Sequence, residues 1–230
     1  MSSKKKLYTV ITGDLVGSSS VEYGDRRTVL SCLRSSFSFL EEQLQMHDDI
    51  LLPFEIFRGD SFQAVFKNPE YALLASILLS LKLGLSNADM KAPPARISIG
   101  IGTIDYIPES HSVGEADGMA FRLSGKALDS MKEKGQYLLI TTPDPAMNLM
   151  FESQCAFFDF IAGRWTDVQK EILLERLSGF TQENIASRKG KTQSSVSQSL
   201  KAAGFDAIKK FLDNYESLFE CPGIFVQSDK

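Results

Sequence analysis

Side chains that usually carry chemistry are scarce in this sequence. Three cysteines (Cys32, Cys155, Cys221) and two histidines (His47, His111) are scattered over 230 residues. Cysteines that are few, odd in number and far apart form neither a disulfide framework nor a zinc spacing, and the two histidines have no clustered partners. Long apolar runs are missing too. The most apolar window, Ala72 to Leu85, is broken by Lys82 and falls short of the ~20 residues that a membrane span needs. The basic start, Met1 to Lys6, leads into an apolar stretch too short for a signal peptide, with Gly13 and Asp14 close behind. A soluble, cytoplasmic protein without a membrane partner is expected. Charge of one sign is also lacking. The net charge of −4 gives the chain as a whole no nucleic-acid signature.

What is present is local. Between Thr181 and Leu212 stand six basic residues (Arg188, Lys189, Lys191, Lys201, Lys209, Lys210) and two acidic ones (Glu183, Asp206). That segment carries +4, which leaves −8 for the rest of a −4 chain. A basic island on an acidic protein is the electrostatic footprint of a DNA reader. The pattern inside it reads as a helix-turn-helix. Ala186 falls where the first helix packs closely, Gly190 falls in the turn, and Val196 and Leu200 share one face of the second helix. The remainder of that helix is short and polar, which suits a major groove. Gln193, Ser194, Ser197 and Gln198 are the base-edge candidates. Arg188, Lys189, Lys191 and Lys201 are the phosphate candidates, and double-stranded DNA is the expected partner. Upstream, Thr166 is a good N-cap for a helix that Gly179 stops, and Thr181 caps the next. This region resembles region four of sigma factors and the related response-regulator readers. The last helix, to Phe219, is expected to pack back or to dimerise.

The N-terminal two thirds read differently. Leu7–Thr12, Leu51–Phe57, Ser61–Phe66, Arg96–Thr103 and Gln136–Thr141 read as strands. Asp25–Met46, Pro69–Leu85 and Ala116–Met131 read as helices, and Gly13–Ser20 as a loop. Arg58-Gly59-Asp60 is a tight hairpin. This order is the split βαβ pattern of a ferredoxin-like sheet. The expected fold is α+β: a mostly antiparallel ferredoxin-like domain over residues 1–158, with helices on one face, followed by an all-α helix-turn-helix domain over 159–230.

In a split βαβ sheet the end of strand one lies beside the central hairpin, so Asp14 and Asp60 are expected to converge. Two carboxylates and the backbone carbonyl of Leu15 suit Mg²⁺ or Mn²⁺ carrying a nucleoside triphosphate. Gly17 and Ser18 would let backbone N–H groups approach phosphate. Arg58, Arg122 and Lys126 are further phosphate candidates. Each motif alone has a plain reading, since Gly-Asp is ordinary turn chemistry.

In order and placement these motifs resemble the class III nucleotidyl cyclases. Asp14-Leu15-Val16-Gly17-Ser18 is similar to the family's first metal segment, Gly59-Asp60 to its second, Arg96–Gly102 to its glycine-bearing strand, and Val113–Leu123 to the segment entering its catalytic helix. The resemblance spans roughly Leu7 to Thr141. It departs where cyclases read the base and stabilise the transition state. Ile56 and His111 occupy the base-reading Lys and Asp positions, Gly118 the Asn position, and only the Arg survives, as Arg122. A missing preorganised donor often costs ~10²–10³ in rate, so the departures argue for binding rather than turnover. With Asp117-Gly118-Met119-Ala120-Phe121 and the C-terminal helix-turn-helix, the chain is similar to the SatD-like family. The resemblance implies a homodimeric, DNA-binding transcriptional regulator with a nucleotide- and metal-binding sensor. The alternative is a divergent metal-dependent cyclase, or another nucleotide-transforming enzyme, tethered to DNA.

Overall fold

The computed structural model describes residues 6–17, 23–43, 46–57, 59–85 and 93–220. It is a mixed α+β structure built on one five-stranded sheet. The strands are β1 (Tyr8–Leu15), β2 (Ile50–Phe57), β3 (Ser61–Phe66), β4 (Ala95–Gly102) and β5 (Leu138–Thr141). Their order across the sheet is β2-β3-β1-β4-β5. The first four are antiparallel to their neighbours and β5 runs parallel to β4. The helices are α1 (Tyr23–Ser38), α2 (Ala72–Gly84), α3 (Met119–Lys134), α4 (Pro145–Ala162), α5 (Asp167–Leu177), α6 (Gln182–Lys189), α7 (Gln193–Ala202) and α8 (Phe205–Glu220).

Alternation along the strands decides which face is covered by what. Ile11 and Leu15 of β1, Phe62, Ala64 and Phe66 of β3, and Ile97, Ile99 and Ile101 of β4 point to one side. There they join Leu33 and Phe37 of α1, Leu73 and Ile77 of α2, and Phe151, Cys155 and Phe158 of α4 in one continuous core. The other face is not bare, contrary to the expectation of helices on one side. Helix α3 lies against it: its Ala120 joins Val10 and Val65 in one cluster, and its Leu128 and Met131 join Leu139 in another. Gly100 and Gly102 of β4 make this approach possible. A Cβ on Gly100 would stand 2.3 Å from the Ala120 carbonyl oxygen and 2.6 Å from the Ser124 nitrogen.

Helix α4 has no counterpart in the sequence reading. Asp144 caps it, accepting from the amides of Ala146 and Met147, with Pro145 in the first turn. It runs unbroken through the expected division at 158/159. The C-terminal helices continue the same core: Ile172, Leu173, Ile185, Val196, Leu200, Ile208 and Tyr215 belong to the cluster that includes Ile11 and Leu73. Tyr215, fully buried on α8, donates to the Pro69 carbonyl at 3.0 Å, so α8 packs back.

Candidate functional site

The residue types under α3 are unusual for a sheet face. Antiparallel register places Gln63, Thr12 and Ser98 in one row across β3, β1 and β4, and Ser61, Asp14 and Arg96 in the next. All six are polar. The first row forms a directed chain. The Gln63 amide donates to the Thr12 hydroxyl at 2.8 Å. Ser124 of α3 gives its only proton to the Phe121 carbonyl, so Thr12 donates to Ser124, also at 2.8 Å. Ser98, fully buried beside them, has a hydroxyl with no hydrogen-bond partner among the described residues. A buried polar atom left in this way costs about 1–3 kcal/mol.

The second row carries charge. Asp14 was expected in a loop. It is instead the seventh residue of β1, paired on both sides and 6% exposed. The Arg96 guanidinium donates to both of its carboxylate oxygens, at 2.9 and 3.4 Å. Lys132, in the last turn of α3, stands 3.5 Å from Oδ2. The Asp60 backbone lies beside the end of β1: its carbonyl accepts from the Leu15 amide at 3.2 Å. Its carboxylate accepts from the Ser61 hydroxyl at 3.4 Å. Gly59 takes a positive φ of 84° in the hairpin turn, a conformation that suits glycine. Gly17 is likewise left-handed, at 74°. Ser18 and Arg58 lie outside the described residues.

Neither cation at Asp14, Arg96 or Lys132, is among the phosphate candidates that the sequence offered. Arg122 lies in the first turn of α3, ten positions before Lys132, or ~15 Å along the axis. Its guanidinium binds Asp105 at 2.8 Å and Asp117 at 3.0 Å. Lys126 is exposed on the same helix. Arg96 was legible only through the register that sets it opposite Asp14. Gly118 admits no side chain, because a Cβ there would meet Ile104 and Thr103 backbone atoms at 2.6 Å. Among the described residues no group of three or more His, Cys, Asp or Glu side chains could hold a metal ion. Cys155 is fully buried, and burial pushes its thiol up to about 12.

The second set of candidates lies on α6 and α7. Gly190, left-handed at φ 61°, ends α6, and the Lys191 amide closes the turn on the Ala186 carbonyl at 2.9 Å. Thr192 caps α7 through the Ser195 amide. Ile185, Ala186, Val196 and Leu200 are buried. Gln193, Ser194, Ser197, Gln198, Lys191 and Lys201 are all exposed. Arg188 and Lys189 are engaged within the protein. Arg188 lies over the Phe180 ring at 4.4 Å and 3.4 Å from Glu175. Lys189 binds Glu171 at 2.8 Å and Glu175 at 3.3 Å. Burial lowers the Lys189 pKa, but these two carboxylates more than offset that and raise it. Trp165 packs edge-on against Phe158, and its indole N–H donates to the Ala203 carbonyl at 2.9 Å.

The protein is thus a mixed α+β structure with a charged strand end at Asp14 and a set of C-terminal helices. The chain belongs to the SatD family, whose profile matches residues 8–217. Among solved structures it is similar to the active GGEEF domain of a diguanylate cyclase from Vibrio cholerae, at 14% identity and a TM-score of 0.42. That likeness covers 60% of this chain and 84% of the other. No curated protein matches. No helix among the described residues is long and apolar enough to cross a membrane.

Proposed function

We propose that this protein is a DNA-binding transcriptional regulator that reads duplex DNA through α7. The observation that carries the reading is the exposed polar face of α7. Gln193, Ser194, Ser197 and Gln198 stand clear of the protein while Val196 and Leu200 anchor the helix from behind. In this reading α6, the Gly190 turn and α7 form the helix-turn-helix. Lys191 and Lys201, exposed at the two ends of α7, meet phosphate. Arg188 and Lys189 brace α6 against α5 through Glu171 and Glu175 and contribute to the field rather than to contacts. Selection from random duplexes tests this. An enriched site that Gln193→Ala and Gln198→Ala relax at single positions supports it. Failure to retain any duplex at low salt sinks it.

The sheet unit, with its β2-β3-β1-β4 order, is the ferredoxin-like, cyclase-like half of the reading and serves as a nucleotide sensor. Its donor set does not fit a resident divalent ion as it stands, because Arg96 and Lys132 already neutralise Asp14. A nucleoside triphosphate would offer those two cations another anion. Mg²⁺ or Mn²⁺ would arrive with the triphosphate as its counter-ion rather than reside at Asp14. Ligand binding would thus exchange one set of ion pairs for another, and no step of turnover is assigned. Calorimetry with each nucleoside triphosphate and Mn²⁺, followed by mass spectrometry of the nucleotide, separates sensor from enzyme. Unaltered, retained nucleotide supports the sensor, whereas a new product lost in Asp60→Ala supports the enzyme.

A further inference from the structure

Helix α4 is apolar on both sides. Phe151, Cys155 and Phe158 face the core. The opposite side shows Ala146, Leu149, Met150, Ser153, Ala156, Phe157 and Phe160 to solvent, with no charged residue among them. Leu149 is 69% exposed, Met150 65%, Phe157 71% and Phe160 60%. A helix apolar all round is normally a buried one. With roughly 150–250 Å² to a large aromatic side chain, the two phenylalanines alone present about 200–330 Å². The two aliphatic side chains bring the patch into the range of the largest found on monomers, about 300–600 Å².

We infer that this stripe is where two copies of the chain pair, α4 against α4, in antiparallel fashion about a two-fold axis. The inference does not depend on the DNA reading. The stripe is complementary to itself. Its centre, near Gln154, carries the small residues Ser153 and Ala156, which let two helix backbones come close. Large side chains stand on either side. Antiparallel pairing about that centre sets Phe160 against the partner's Leu149, and Ser153 against the partner's Ala156. The ends complement each other as well. Arg164, exposed just past the helix and lying 3.4 Å over the Phe160 ring, comes beside the partner's Asp144. A two-fold interface requires self-complementarity of this kind. A membrane surface is a poor alternative occupant. Interfacial helices carry lysine and arginine along the polar side, whereas α4 has neither between Pro145 and Ala162, and its own Glu152 and Asp159 are acidic. A standard interface buries about 800 Å² per partner. The stripe supplies its apolar centre and the neighbouring polar surface supplies the rim.

The test is sedimentation equilibrium of the full chain and of Phe157→Glu at several micromolar concentrations. The wild type is expected to be dimeric. The variant is expected to dissociate about 30-fold or more readily, the effect of losing one central hot spot, with an unchanged helical spectrum. A second measurement covers the case in which that variant fails to fold. In an equimolar mixture, Ser153→Cys and Ala156→Cys chains should be joined by a short bis-maleimide faster than the wild type, whose own cysteines set the background. A monomeric wild type overturns the inference. So does a dimer that Phe157→Glu leaves intact, or one in which the two engineered thiols react no faster than background.

Discussion

Replacing Arg96 with methionine tests the account of the charged row most directly. The side chains of Asp14 and Arg96 are 8% and 16% exposed, so the pair sits largely out of water. Removing one member of a buried pair costs about 3–5 kcal/mol, because the other charge stays behind without compensation. Lys132 remains at 3.5 Å, but its side chain is 45% exposed, and a partner of that kind offsets only about 1 kcal/mol. The expected loss for Arg96→Met is therefore about 2–4 kcal/mol. In a chain of this size that lowers the melting temperature by about 5–15 °C. Methionine preserves most of the volume, so packing contributes little. Adding Asp14→Asn should recover most of the loss, since an uncharged row of similar shape has no stranded ion. Urea unfolding reports all three variants, followed by circular dichroism and by the fluorescence of Trp165, the single tryptophan. A loss below about 1 kcal/mol for Arg96→Met refutes the reasoning. So does a double variant no better than the single one.

Three further outcomes follow from the same structure. Gly100→Ala should destabilise by about 1–3 kcal/mol or more, because its Cβ meets α3 backbone atoms, while Gly125→Ala, with nothing within 4 Å of its Cβ, should gain up to about 1 kcal/mol; thermal melts of the pair should move in opposite directions. Burial pushes the Asp159 carboxyl up from 3.8 to about 6, although the amides of Tyr137 and Leu138 pull it down. The folded state then binds a proton that the unfolded chain releases, so stability should rise as the pH falls from about 6 towards 4. Asp159→Asn should remove that slope and be about 1–1.5 kcal/mol more stable than the wild type at pH 7, a figure halved for solvent access; a parallel pair of stability curves would contradict it. Under the proposed DNA reading, Lys191→Ala and Lys201→Ala should each reduce the salt slope of duplex binding by about 1, whereas Glu171→Gln should leave that slope unchanged.

Much of the framework was legible because local rules were strong. The β3 strand is found where the sequence reading puts it, Ser61–Phe66, between a glycine turn and Pro69. The ends of β1, β2 and β4 shift by one to three residues. Thr166 and Thr181 sit at the helix starts they were expected to cap, since a side-chain oxygen before a helix satisfies an orphan amide whatever surrounds it, whereas Thr192, read as part of the second helix, is its cap. Helix α4 escaped notice because it lacks the feature a reader looks for: apolar on both sides, it shows no amphipathic period. Asp14 was placed in a loop because Gly13-Asp14 is turn chemistry, yet pairing on both edges draws β1 on to Leu15.

The sequence alone determined the order of the strands and of every helix but α4, the caps at Thr166 and Thr181, the apolar stripe behind α7 and the glycines of β4, because each depends on neighbours a few residues away. Only the tertiary structure decided which face α3 covers, that Arg96 and Lys132 meet Asp14 while Arg122 binds Asp105 and Asp117, that Lys189 is tied to α5, and that one core runs from the sheet into the C-terminal helices. Those outcomes depend on register and on close approach between segments far apart in the chain, and a one-residue change in register would have turned every side chain of the charged row to the opposite face.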